Sequence, residues 1–133
     1  MGDSMRCYVL TGISRKTIDE FIRRYIRTIE LRSAHNVATA FKAEVGSCVF
    51  LTPAKLGDLG RGCIGMISEV MGKEIQSHSV FFATTRYFEE NEMTVVRLKL
   101  EPKGMGRIVK VYNMGILDTT EAEVVEVSYF DAR

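Results

Sequence analysis

Apolar and polar residues alternate along much of this chain, and Arg27–Thr28–Ile29–Glu30–Leu31–Arg32 is the stretch where the alternation carries most chemistry. Ile29 and Leu31 alternate with Thr28, Glu30 and Arg32, the period of two expected of a half-buried strand. Ile29 and Leu31 then face the core while Glu30 and Arg32 leave together by the other face. A carboxylate and a guanidinium held side by side either begin a binding face or form a plain surface ion pair, and exposed pairs contribute little.

Upstream, Arg6–Thr11 reads as a short strand ended by Gly12, and Ser14 stands where a helix N-cap belongs. Ile18, Phe21, Ile22, Tyr25 and Ile26 recur at three- and four-residue spacing, which predicts an amphipathic helix. Arg15, Lys16, Asp19, Glu20, Arg23, Arg24 and Arg27 lie on its polar side, with the acids in earlier turns and the late arginines suited to the helix dipole. Ser33–Lys42 is open between a short helix and a loop. Val45-Gly46-Ser47 predicts a turn into a strand over Cys48–Thr52, and the glycine-rich run Pro53–Gly62 predicts an exposed loop.

Strand patterns fill the remainder: Cys63–Met71, His78–Phe88, Met93–Glu101, Arg107–Leu117 and Glu123–Phe130. Turn chemistry separates them at Gly72-Lys73, Glu89–Glu92 and Pro102–Gly106. Within Met93–Leu100, Val96, Leu98 and Leu100 share one face and Arg97 and Lys99 the other. The expected architecture is α+β, mainly β: a small barrel of about six to seven strands with the N-terminal helix closing one end. A single domain spans residues 1–133, with residues 1–4 a short leader if Met5 is the natural start.

Composition narrows the function classes. Eighteen Lys and Arg against seventeen Asp and Glu leave a net charge of +1, so a nucleic-acid partner has to be argued from local clustering. Residues 15–42 supply such clustering, with seven Lys and Arg against three acids. Cys7, Cys48 and Cys63 form no CxxC pair and sit in apolar runs, which predicts buried free thiols and neither a disulfide framework nor a zinc site. No run is apolar for the roughly 18 residues of a membrane span, and no signal-peptide pattern opens the chain, so a cytoplasmic protein is expected.

The helix, then R-T-I-E-L-R, then V-G-S before an apolar strand, resembles the start of an ASCH domain, a branch of the PUA-like barrel superfamily. That family carries a G-x-K-x-x-E-x-R signature. Its Lys position falls here on Arg27, its Glu on Glu30 and its Arg on Arg32, whereas its Gly position is Tyr25 and its Gly-Asp turn is Gly46-Ser47. The whole chain also resembles an uncharacterised family found mainly in methanogens and related archaea. The ASCH resemblance implies a PUA-like fold and binding of RNA or a modified nucleotide, and a few members are implied to act as enzymes on such substrates.

The expected site is therefore a barrel mouth where Arg27, Glu30 and Arg32 sit beside the Pro53–Gly62 loop. Arginines there can grip phosphate while Glu30 accepts from a base or ribose edge, or holds Arg32 in place. Arg24 and Arg23 extend this rim along the helix, and Lys42, Lys55 and Arg61 extend it across the loop. On this reading Arg97 and Lys99 lie apart from the site. An enzymatic alternative uses Glu30 as general acid/base in hydrolysis of RNA or a nucleoside derivative, with Arg27 steadying developing charge. A third reading is a non-catalytic protein-interaction module.

Other candidates are weaker. His35 could serve as a base oriented by Glu30, against the reading of His35 and His78 as surface or packed histidines without metal-ligand spacing. Gly57-x-x-Gly60-x-Gly62 lacks the ending of a Walker loop and precedes a strand. Tyr87 could stack a base, whereas Phe81, Phe82 and Phe88 read as core. No cofactor or metal is expected.

Overall fold

A computed structural model describes residues 3–83, 88–112 and 119–127, with side chains left undescribed over 78–93. The elements in order are β1 (Met5–Leu10), α1 (Arg15–Ile22), β2 (Thr28–Leu31), α2 (Ala34–Lys42), β3 (Cys48–Leu51), a single 3-10 turn (Leu56–Asp58), β4 (Ile64–Ala83), β5 (Phe88–Tyr112) and β6 (Glu121–Glu126). The sheet runs β2-β5-β4-β3-β1-β6, and β5 also pairs with β6. Five strands, β5-β4-β3-β1-β6, thus close into a ring, and β2 hangs on the outer edge of β5. All pairings are antiparallel except β1 with β3, which are joined by the α1–β2–α2 crossover.

Alternation sorts the side chains into two cores. Cys7 and Val9 of β1, Phe50 of β3, Ile67 of β4, Ile108 of β5, and Ala122 and Val124 of β6 converge from all five ring strands into one buried cluster. The intervening residues Leu10, Val49, Leu51, Met66, Val70, Val96, Leu98 and Leu100 form the other, with Ile18 and Phe21 of α1, Leu31 of β2 and Ala40 of α2. The helices therefore cover the outer wall of the ring, where a single helix closing one end was expected. Burying two layers on one strip of sheet is what lets so many consecutive Val, Ile and Leu positions be satisfied at once.

Gly65 and Gly106 face each other across β4 and β5. A Cβ at Gly65 would collide with the Leu51 carbonyl oxygen and come within 2.7 Å of the Phe50 ring, and one at Gly106 would come within 2.6 Å of Ile67 Cδ1. The ring closes this tightly only because neither position has a side chain.

Several sequence expectations change. Gly72-Lys73 does not end a strand: β4 continues through a bulge between Val70 and Gly72. Nor do Glu89–Glu92 or Pro102–Gly106 interrupt β5, because a register shift opposite Ser68 accommodates Pro102. Two of the expected breaks are thus irregularities in one long hairpin. Ser33–Lys42 resolves as a helix with Ser33 as its cap. Its apolar stripe is blurred because Asn36 and Thr39 are buried, Asn36 bonding both backbone groups of Thr11 at 3.0 and 2.9 Å. Helix α1 ends at Ile22, short of Tyr25 and Ile26, and its first turn holds no acid, so the expected dipole arrangement of charges is absent.

The cysteine expectation is overturned. β1 and β3 run parallel with Tyr8 opposite Val49, which brings Cys7 and Cys48 together one step earlier, and the two form a disulfide with Cα atoms 4.6 Å apart. Sequence spacing conceals the pair because 41 residues separate them. Cys63 is free and half-buried.

Candidate functional site

β2 lies against β5 with Glu30 opposite Arg97 and Thr28 opposite Lys99, and β5 lies against β4 with Arg97 opposite Glu74. One row of outward side chains therefore crosses three strands. Glu30 accepts from Arg32 Nη2 at 2.9 Å on one oxygen and from Arg97 Nη2 at 3.0 Å on the other. Arg97 Nη1 stands 3.9 Å from Glu74, which in turn accepts from Gln76 Nε2 at 2.6 Å. Hydrogen bonds from Arg32 first, then Arg97, hold the Glu30 carboxyl below its ordinary value of 4.5. Glu30 is thus an anion at neutral pH with both oxygens occupied, a poor proton donor and a firm clamp. Each guanidinium engages Glu30 through one nitrogen, and a guanidinium has five N–H donors, so donors beyond those on Glu30 remain.

A second pair adjoins this row. Arg24 follows α1 in the left-handed conformation at φ 63°, a place usually taken by glycine, and donates to Glu101 on β5 at 2.9 Å. Holding a non-glycine residue there costs about 1 kcal/mol. The Arg24 hydrogen bond, then the charges of Arg24, Lys103 and Arg27, keep the Glu101 carboxyl below 4.5. Arg27 is fixed by its carbonyl, which accepts from Leu100 N at 2.9 Å. Arg24, Arg27, Arg32, Arg97 and Lys99 are accordingly gathered along the β2–β5 junction against Glu30, Glu74 and Glu101.

The structure does not bring the remaining candidates here. Arg61 and Lys55 belong to the loop ahead of β4, where Ile64 pairs with Arg107, whereas Glu74 marks the Glu30 row ten positions further along β4. At about 3.3 Å per strand residue that is about 30 Å. The expected juxtaposition with the Pro53–Gly62 loop is therefore absent. Arg61 instead lines a cleft of about 500 Å³ with Arg107, Gly62 and Val125. Lys42 ends α2, where the Lys73 ammonium donates to the carbonyls of Phe41 and Ala43 at 2.9 Å each. Arg23 pairs with Asp19 on its own helix.

His35 does not meet Glu30. Its Nε2 lies 3.0 Å from Thr120 Oγ1, its Nδ1 is buried without a partner, and burial lowers its pKa from 6.5. Tyr87 lies outside the described residues. Arg97 and Lys99, expected apart from Glu30, lie in its row, Arg97 bonded to it and Lys99 opposite Thr28. The outward pairing of Arg97 and Lys99 on their strand was visible in the sequence, but only the β2–β5 register shows which carboxylate they meet.

A cleft of about 690 Å³ between α1 and the start of β4 is lined by Arg15, Ile22, Pro53, Ile64 and Met105 among others and by none of the Glu30 cluster. The cationic junction is an open surface. Among the described residues no three His, Cys, Asp or Glu side chains converge as a metal site, and no helix is long and apolar enough to cross a membrane.

Residues 5–122 match the family described as "Protein of unknown function (DUF473)". The chain belongs to this family. It is 30% identical over 109 residues to "Uncharacterized protein MJ0105" of Methanocaldococcus jannaschii, covering 82% of this chain and 68% of that protein. No solved structure matches. Family membership thus supplies an archaeal relative and no chemistry, and the Glu30 row has to be interpreted from its own geometry.

Proposed function

We propose that this protein is a non-catalytic RNA- or nucleotide-binding module of PUA-like, ASCH-related architecture, and that it grips phosphate on the cationic β2–β5 junction. The observation that carries this reading is the clamp itself: one carboxylate, Glu30, fixes two guanidiniums from different strands 2.9 and 3.0 Å away. Fixed guanidiniums with spare donors suit phosphate oxygens, which accept paired hydrogen bonds, and orienting them in advance reduces the entropy lost on binding. Lys99 adjoins the clamp two residues along β5, opposite Thr28, and Arg27 adds its charge near Glu101. The five-strand ring and the match of Arg27, Glu30 and Arg32 to the ASCH signature support the same reading. The hydrolase alternative is disfavoured because Glu30, an anion with both oxygens engaged by arginines, has no proton to donate as a general acid at neutral pH.

The test is binding of a short fluorescent single-stranded RNA, followed by anisotropy at about 50 and about 200 mM salt. The Arg32→Ala/Arg97→Ala double variant should lose roughly tenfold or more in affinity and flatten the salt dependence by about two phosphate contacts. Arg61→Ala/Arg107→Ala, at the far end of β4, should leave both nearly unchanged. Equal losses in the two variants would reduce the interaction to general electrostatics and remove the junction as a site.

A further inference from the structure

β4 has β3 for a neighbour only over Met66–Glu69. Past the bulge, from Gly72 onward, the strand continues to Ala83 with β5 on one side and, among the described residues, no strand on the other. Beyond Val96, where β2 stops, the β4–β5 hairpin is a two-stranded ribbon. Such ribbons are marginal alone, and an open edge of this length is a template for another strand. Apolar side chains border the same edge: Phe41 is 46% exposed, Val45 65%, Met71 50% and Ile75 44%. They are neighbours in space because Lys73 reaches the Phe41 and Ala43 carbonyls and Gly46 N donates to the Val70 carbonyl at 2.8 Å. Those carbonyls also engage the Lys73 ammonium, so the charge that would ordinarily guard an edge is drawn back toward α2.

We propose that the Gly72–Ser77 edge of β4 pairs antiparallel with the same edge of a second copy of this chain, about a two-fold axis through Ile75. The edge is self-complementary in that register. Ile75 meets Ile75 of the second copy, Glu74 meets Gln76, and Lys73 meets Ser77, so no like charges are opposed. Centring the axis on Lys73 or Glu74 sets like charges directly against each other. About that axis the length is bounded as well: β3 occupies the edge of each copy up to Glu69, so the symmetric pairing runs only from about Gly72 to the His78 opposite it, about an ordinary strand. Because the axis runs perpendicular to the sheet, the outward faces of both copies fall on one side. Their β5 strands, each carrying Arg97, are then three inter-strand steps, about 14 Å, apart.

The test measures the solution mass of the whole chain by light scattering across the micromolar range. A dimer is expected, and Ile75→Lys, which opposes two ammonium groups across the axis at an exposed position, should halve the mass while leaving the circular dichroism unchanged and removing the concentration dependence of melting. In a Cys63→Ser background, Ile75→Cys should give a covalent dimer on mild oxidation, because residues directly opposite in an antiparallel pair have Cα atoms about 4.5–5.5 Å apart, within disulfide reach. Val45→Cys, off the axis, should not. A monomer at every concentration overturns the proposal. So does a dimer that survives Ile75→Lys and does not cross-link at Ile75, or a complex formed only with a different protein. None of these readouts involves RNA, so the pairing and the phosphate site stand or fall separately.

Discussion

The inside of the ring and the cationic β2–β5 junction are built from the same alternating strands, yet they do opposite work. Inside, side chains from five strands meet without water, and removing or adding a single methyl group is felt by all of them. At the junction, Glu30, Arg32, Arg97 and Lys99 face solvent, where ion pairs contribute little to stability because water competes and screens. Stability therefore resides in one set of positions and charge display in the other. A surface whose charges are not needed to hold the fold is free to be used by a ligand.

The sharpest way to break the interior is to fill it. Gly65→Ala places a methyl group against the Leu51 carbonyl and the Phe50 ring, both of them backbone or core atoms that cannot swing away. Overpacking of this kind costs typically 1–3 kcal/mol and here should reach or exceed the top of that range. Denaturant unfolding of the variant should show a lower midpoint, or the protein should fail to fold at all. A midpoint equal to that of the unchanged chain would mean the ring is looser than described. Ala substitutions of Arg32 and Arg97, by contrast, should barely move that midpoint.

The disulfide tests the same contrast from the unfolded side. Cys7 and Cys48 tie the parallel pair β1–β3 across a separation of 41 residues. Closing a loop of that length restricts the unfolded chain by about 4 kcal/mol on the chain-entropy account. Cys7→Ala/Cys48→Ala should lower the unfolding free energy by up to that amount without touching RNA affinity at the junction. Thiol titration of the denatured chain should find one reactive cysteine before reduction and three after, since Cys63 alone is free. Three thiols before reduction would remove the bond from the account.

How much of this was legible in the chain follows the same division. Local pattern marked β1, β2 and β3 to within a residue and the start of α1 at its Ser14 cap, since alternation and capping are short-range signals, but it carried α1 past Ile22, where the helix ends. It also placed Glu30 and Arg32 on one face. What it could not supply was register. Whether Gly72 or Pro102 ends a strand depends on whether a bulge can absorb it, which is decided by the partner strand. The Cys7–Cys48 bond, the Glu30–Arg97 contact and the separation of Arg61 from Glu30 each depend on which residues lie opposite one another across long stretches of chain. Asn36 misled for a different reason: a buried polar side chain satisfied by the Thr11 backbone looks, in sequence, like loop.

The smallest expected effects come from protons, and they separate the two regions by pH. His35 lies against Thr120 ahead of β6, and burial lowers its pKa from 6.5, so the unfolded chain takes up its proton first. The unfolded state then binds more protons, and stability falls as pH drops from about 6.5 toward the folded value. Glu30 also has a lowered pKa, from 4.5, but because it gains arginine partners in the folded state. Its contribution is present above 4.5 and is lost as pH falls through the folded value, a small step because the group is exposed. Melting followed from about pH 8 to about pH 3 should decline in two stages. His35→Gln should flatten the upper one and leave junction binding intact, and Glu30→Gln should flatten only the lower. If Glu30→Gln instead altered the upper stage, the two regions would be coupled, and the junction could no longer be treated as charge laid on an independent scaffold.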